Sequence, residues 1–184
     1  MPSVITTATQ SACLRAIANL TVQLASAWRS GEEGTLSEAI EYQRVIEFAV
    51  FGFIGAQISY AWHQFLEETF PVRRPQTKSQ QKSPSNNSSI IWTNLIAKLL
   101  VDQLFGLPFL NATFLVCTNA YRVDSLSVLV QVIYERLATL VLAGWKLWPA
   151  VSLASFLWVP VQWRVIFLNV VGFGWTIFLC LMSN

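Results

Sequence analysis

The chain has 184 residues, of which 54% are apolar and only 12% carry a charge. Soluble domains have about 25% charged residues, so this composition excludes an ordinary water-soluble core and indicates several membrane spans. The net charge of +2 is too small to favour a nucleic-acid partner.

The inventory of reactive side chains argues against an enzyme. There is one histidine, there are two aspartates, and three cysteines stand apart without a C-x-x-C pair. These residues form no catalytic triad, no metal-binding cluster and no paired carboxylates with a base. We therefore expect no catalytic activity, no metal and no cofactor.

The first two apolar runs predict spans near residues 4–28 and 45–66. Every fourth residue of the first run is polar, so one face of the helix must meet protein or water. Its long polar side chains are Arg15, Asn19 and Gln23. In the second run, Gly52 and Ala56 have the spacing that lets membrane helices approach closely.

A stretch rich in Ser, Gln, Asn and Pro, about residues 71–90, predicts a disordered loop. The third span follows, near residues 93–118. Asn94, Lys98 and Asp102 lie on one line of this helix, at positions i, i+4 and i+8. Asp102 is about 15 Å into the helix, so its carboxylate must face the bundle interior, with Lys98 and Arg15 as its nearest cations.

Gly106 and Pro108 predict a kink in this third helix. The segment near 124–142 predicts an amphipathic helix that lies in the membrane interface or packs on the bundle.

Two prolines, Pro149 and Pro160, bound a piece too short to cross a bilayer, so a short broken helix is predicted between them. The last span is predicted near 161–183. Arg164 lies close enough to its start to reach the headgroups, and Asn169 begins another polar line.

Together these segments predict an all-α integral membrane protein with one membrane domain over residues 1–184. It has four transmembrane helices, an amphipathic helix and a short proline-bounded helix before the last span. An even number of spans places both termini on one face of the membrane. The polar lines allow two interpretations: they surround a water-filled path, or they hydrogen-bond across a closed bundle.

The pattern W-x-x-W-P followed by V-P and an aliphatic tail resembles the signature of one family. That is the family of the twenty-two-kilodalton peroxisomal membrane protein, which also contains an inner mitochondrial membrane protein linked to mitochondrial DNA maintenance. The residues that carry the resemblance are Asp102, Gln103, Pro108, Trp145, Trp148, Pro149, Phe156, Pro160, Arg164, Asn169 and Trp175. The chain departs from the family pattern at Ala56-Gln57, where Gly-Pro is usual, and at Ser152 and Ser155, where Gln and Asn are usual.

The resemblance implies a passive pore or channel for small solutes in the peroxisomal membrane. The alternative function is a non-conducting membrane scaffold that recruits or organises organelle proteins. The tail Val159–Leu181 is more similar to the peroxisomal branch, with the mitochondrial inner membrane as the alternative location. The expected partners are the lipid bilayer, small solutes, and either a second copy of the chain or another organelle membrane protein.

Overall fold

The computed structural model describes residues 3–30, 40–73 and 90–182, with side chains as far as Trp175 in the last helix. Most of the predicted disordered loop, residues 74–89, lies outside these residues. The described part is all-helical, as predicted, apart from one isolated bridge between Arg73 and Ile90.

Six helices follow one another within the described residues. We number them α1 (Val4–Ser30), α2 (Tyr42–Thr69), α3 (Trp92–Asn119), α4 (Leu126–Gly144), α5 (Trp148–Trp158) and α6 (Val161–Met182). Within the described residues, α2, α3 and α4 are long and apolar enough to cross a membrane, and α5 is a shorter apolar helix. The predicted count of four spans is therefore not confirmed.

The main difference between the prediction and the structure is α4, which corresponds to the predicted amphipathic helix near 124–142. Helix α4 packs against α3, which was one of the two expectations, but it also has the length and apolarity of a span. Its polar residues recur every four positions and predict an amphipathic helix, but the remaining residues are apolar enough for the helix to enter a bilayer.

Helix α3 is interrupted where the sequence predicted a kink. Its first part, Trp92–Val101, leads into a π-helical segment, Asp102–Gly106, in which the N–H of Leu107 bonds the carbonyl of Asp102. Pro108 follows in the first turn of the last part, Leu107–Asn119. Proline has no N–H to donate, so the regular ladder cannot continue through this turn and the backbone widens instead.

Contacts define two ends of the bundle. At the Arg122 end, Arg122 binds Glu41 and Glu47 near the start of α2. At the Arg73 end, the guanidinium of Arg73 donates to the carbonyl oxygen of Leu157 at 3.3 Å. Helix α4 begins close to Arg122, and Leu157 lies in the last turn of α5. Together α4 and α5 therefore run from one end of the bundle to the other.

Helices α1 and α6 lie parallel. Ala8 packs with Val165, and further along both helices the amide of Asn169 donates to Ser11 Oγ at 2.7 Å. The described ends of the chain, Val4 and Met182, are therefore at opposite ends of the bundle. The described helices do not support the prediction of both termini on one face, because α4 and α5 add one more passage through the bundle.

The close approach predicted for Gly52 is confirmed. A Cβ atom there would lie 2.7 Å from the backbone oxygen of Ser11 and 2.8 Å from Cα of Ala12, both on α1. One turn later, Ala56 packs with Ala8. The small size of these residues thus allows the backbones of α1 and α2 to come into direct contact.

Candidate functional site

Buried and half-buried polar residues of α2, α3, α5 and α6 form two adjoining clusters. The first, which we call the ion cluster, consists of Glu67, Lys98 and Arg164 with Phe156. The second, which we call the Asp102 node, consists of Trp62, Asp102, Gln103 and Ser152. Lys98 and Asp102 are one turn apart on α3, so that helix joins the two clusters.

In the ion cluster, two cations share one carboxylate oxygen. Glu67 Oε2 lies 2.5 Å from Lys98 Nζ and 2.7 Å from Arg164 Nη1. The Lys98 side chain is 0% exposed and that of Arg164 is 4% exposed. The structure thus gives Lys98 a different partner from the predicted Asp102, and it turns Arg164 inward instead of toward the headgroups.

The ring of Phe156 completes the ion cluster. Lys98 Nζ is 5.1 Å and the Arg164 guanidinium carbon is 5.3 Å from the ring centroid. The imidazole of His63 meets the same ring edge-on, with 5.9 Å between the centroids. The electron-rich face of a phenyl ring stabilises desolvated cations by about 2 kcal/mol, so Phe156 offsets part of the excess positive charge.

In the Asp102 node, the carboxylate accepts three hydrogen bonds from three elements of the fold. Oδ1 accepts from Trp62 Nε1 at 3.0 Å, and Oδ2 accepts from the Ser152 hydroxyl at 2.8 Å and from Gln103 Nε2 at 3.1 Å. Asp102 is buried, as predicted from its depth in the helix. These hydrogen bonds replace the water that the buried carboxylate would otherwise need.

The node lies at the centre of α3. The helix has 28 residues and is therefore about 42 Å long, compared with a hydrocarbon core of about 30 Å. Its midpoint falls in the π-helical segment that begins at Asp102. A Cβ atom on Gly106 would meet both Trp62 Nε1 and Asp102 Oδ1, so only glycine leaves space for their hydrogen bond.

Four of the predicted motif residues, Asp102, Gln103, Phe156 and Arg164, belong to these two clusters. Trp145 Nε1 donates to the Gln103 carbonyl at 3.4 Å, and Trp148 lies next to Gly144 at the junction of α4 and α5. Pro149 lies in the first turn of α5, and Pro160 immediately precedes α6. Trp175 lies on α6.

The other predicted polar residues lie elsewhere in the bundle. Asn94 donates to the Pro71 carbonyl at 2.9 Å, at the Arg73 end. Asn19 accepts from Gln23, which also bonds the backbone of Glu41 at the Arg122 end. Arg15 lies over the ring of Phe51 at 4.8 Å and borders, with Asn169, a cavity of about 10 Å³ between α1, α2 and α6.

At the Arg122 end, one guanidinium holds together Glu41, which precedes α2, and Glu47, in the second turn of α2. Arg122 Nη2 lies 2.7 Å from Glu41, and Arg122 Nε lies 3.1 Å from Glu47. The hydrogen bond from Arg122 lowers the pKa of Glu41, and the bond to Glu41 raises the pKa of Arg122. Both groups therefore stay charged over the physiological range.

Sequence reasoning did not identify Trp62, His63, Glu67 or Ser152 as parts of one site. Trp62 and Glu67 match the family pattern near the end of α2, but nothing in the sequence shows what they contact. Ser152 was noted as a departure from that pattern. A polar side chain inside an apolar, proline-bounded helix was the available signal, because such a group needs a partner within the bundle.

Comparisons with known proteins give a consistent result. Residues 119–180 match the sequence profile of the Mpv17 / PMP22 family. PXMP2/4 family protein 3 of Dictyostelium discoideum is 31% identical over 145 residues, which cover 79% of this chain and 70% of that protein. The mitochondrial inner membrane protein Mpv17 of Drosophila melanogaster is 28% identical over 146 residues, covering 77% of this chain and 76% of the relative. No solved structure matches the chain at a significant level.

Proposed function

Since the chain belongs to the Mpv17/PMP22 family of membrane proteins, we propose that it forms a passive pore for small solutes in an organelle membrane, without catalysing a reaction. The observation that carries the proposal is the Asp102 node. A buried carboxylate and a π-helical segment lie at the centre of the membrane-spanning helix α3. Trp145, at the junction of α4 and α5, donates to the Gln103 carbonyl at the same place.

Irregular backbone and buried charge are expensive inside a bilayer. Non-helical backbone at membrane depth is tolerated only where it is covered by protein or lines a water-filled cavity, and charged residues there mark solute or ion pathways. Broken helices that meet near the midplane are also the usual place for a transport site. The clusters between α2, α3 and α5 combine these features and are our candidate for the path.

Between α1, α2 and α6 the described conformation is narrow. The cavity beside Arg15 and Asn169 has a volume of about 10 Å³, which is close to the minimum for one water molecule. We take this conformation as the closed state of the pore. Helix α5 is the element best placed to open it, because α5 is short, bounded by prolines and held to α3 through Gln103 and Ser152.

A non-conducting scaffold is the second candidate, and a specific observation favours it. The carboxylates of Asp102 and Glu67 each accept more than one hydrogen bond from other side chains, as expected in a closed structural network. On this interpretation the clusters only hold the helices together, and the function lies in recruiting another organelle membrane protein.

Reconstitution separates the two candidates. Liposomes that contain the purified protein should swell faster than protein-free liposomes in a gradient of a small solute, and they should exclude a large polysaccharide. Asp102→Asn should shift the ion selectivity of the pore toward anions, since the positive charges of Lys98 and Arg164 then dominate. Glu135→Gln removes an exposed carboxylate outside the clusters and is the matched control. Equal swelling with and without protein, together with a stoichiometric partner in detergent pull-downs, would favour the scaffold.

We also propose the peroxisomal membrane as the location, supported by the similarity of the tail Val159–Leu181 to the peroxisomal branch. One of the relatives is a mitochondrial inner membrane protein, so that membrane is the alternative. Imaging the tagged full chain against markers of both organelles tests this proposal, and co-localisation with the mitochondrial marker alone would reject it.

A further inference from the structure

Three buried side-chain atoms have no hydrogen-bond partner among the described residues. They are His63 Nδ1 on α2, Gln103 Oε1 on α3 and Ser155 Oγ on α5. The residues are 4%, 8% and 0% exposed, respectively. A buried polar atom without a partner is rare in proteins, and inside a membrane there is no bulk water to supply one.

The three atoms belong to one junction. Gln103 itself bonds Asp102 and Ser152, and Ser155 follows Ser152 by three residues on the same buried side of α5. His63 follows Trp62, which bonds Asp102, and its ring contacts Phe156, the neighbour of Ser155. Each atom is thus within a residue or a helical turn of a contact that joins α2, α3 and α5.

The chemistry of the atoms defines what could satisfy them. Gln103 Oε1 only accepts hydrogen bonds, and its orientation is fixed because the amide nitrogen already donates to Asp102 and Ser152. A serine hydroxyl both donates and accepts, and an imidazole nitrogen does one or the other according to its tautomer. A hydroxyl group can satisfy all three, since it donates and accepts at the same time.

The charges around the junction balance. Asp102 and Glu67 are negative, whereas Lys98 and Arg164 are positive, which gives two charges of each sign. A charged ligand would disturb this balance in a medium that screens charges weakly, so an uncharged ligand fits better.

We propose that His63, Gln103 and Ser155 line a hydrated site between α2, α3 and α5 that binds a small, uncharged, hydroxyl-bearing solute. Water occupies the site when no solute is present. The inference rests on the proposed pore function for its role, because the site then lies on the solute path. Its existence is testable without any measurement of flux.

Thiol labelling tests the site, since a cysteine reacts as the thiolate, which forms only in contact with water. In a chain with its three native cysteines replaced, Ser155→Cys changes one atom type at a fully buried position. Ala56→Cys is the matched dry control, because Ala56 is also buried and belongs to an apolar cluster with Ala8 and Val165. A small water-soluble methanethiosulfonate should label Ser155→Cys at least about ten-fold faster than Ala56→Cys. Equal rates would overturn the proposal.

Glycerol distinguishes a solute site from a site for water alone. It should slow the labelling of Ser155→Cys, while Tyr121→Cys, which lies in an exposed loop, reports any general effect of glycerol on the reaction. No protection beyond that seen at Tyr121 would reject solute binding. His63→Cys provides a second reporter if Ser155→Cys does not assemble. Loss of swelling with labelling intact would overturn the pore and leave the hydrated site standing.

Discussion

Removing the acceptor at the centre of the Asp102 node should destabilise the bundle strongly. Asp102→Leu keeps the approximate size of the side chain but deprives Trp62 Nε1 and the Ser152 hydroxyl of the acceptor that they use. Gln103 Nε2 keeps a second acceptor, Ser152 Oγ, at 3.2 Å. Two buried donors are therefore left without a partner.

Each such donor costs about 1–3 kcal/mol. Loss of the buried charge recovers part of this cost, because leucine, unlike the carboxylate, needs neither hydration nor hydrogen bonds in the membrane. We expect Asp102→Leu to lower the free energy of unfolding by about 2–4 kcal/mol.

Asparagine at the same position is the conservative control. It retains one acceptor oxygen, and Gln103 can rotate its amide so that the unpartnered Oε1 accepts from the new N–H group. Lys98 keeps its bond to Glu67 when the Asp102 charge is removed, so no ion pair is broken. We expect Asp102→Asn to cost only about 1 kcal/mol.

Denaturant unfolding of the purified protein in detergent, followed by tryptophan fluorescence, measures both variants. Trp62→Phe supplies a double-mutant cycle, since it removes the donor that Asp102→Leu leaves without a partner. Asp102→Leu should cost about 1–3 kcal/mol less in the Trp62→Phe background than in the parent. If Asp102→Leu is as stable as the parent, or if the two changes are additive, the node does not hold the helices together and the reasoning fails.

Three further changes test other parts of the bundle. Gly52→Ala should lower the free energy of unfolding by about 1–3 kcal/mol through overlap with α1, while Gly174→Ala, in open space, should be neutral; equal effects would contradict the close packing. Glu67→Gln should cost about 2 kcal/mol, below the 3–5 kcal/mol of a fully buried pair, because its side chain is 36% exposed; an unchanged unfolding midpoint would reject the shared carboxylate. The pKa of Glu41 is lowered by Arg122, so the stability that this bond contributes is present at neutral pH and is lost as the pH falls through the pKa of the folded state. The melting temperatures of the parent and Arg122→Gln should therefore converge below about pH 4, and a difference that grows with acid would contradict the assignment.

The sequence predicted well those features that depend on one helix at a time. Helical periodicity placed Lys98 and Asp102 on one buried line, and the two prolines predicted the limits of α5 within one residue. The spacing of Gly52 and Ala56 predicted their close packing on a neighbour. Each of these depends on backbone geometry and residue size, which the local sequence determines.

Features that depend on which helices meet could not be predicted in this way. Glu67 and Glu68 are adjacent, yet Glu67 binds two cations and Glu68 is exposed, because a turn of about 100° separates their directions. Periodicity says that Lys98 faces a neighbour, but it does not say that the neighbour is the end of α2. The same holds for α4, whose length allows a passage through the bundle that its polar pattern does not suggest.

The ion cluster explains why an aromatic residue belongs at position 156. One carboxylate cannot neutralise two buried cations, and a second carboxylate would add another desolvation cost of several kcal/mol. The ring of Phe156 lies within 5.3 Å of both cations and needs no hydration of its own. A leucine at this position would fill similar space, but it could not make the cation–π interactions with Lys98 and Arg164. The ring therefore takes the place of a second anion, and it connects α5 to α3 and α6 where Lys98 and Arg164 share one carboxylate.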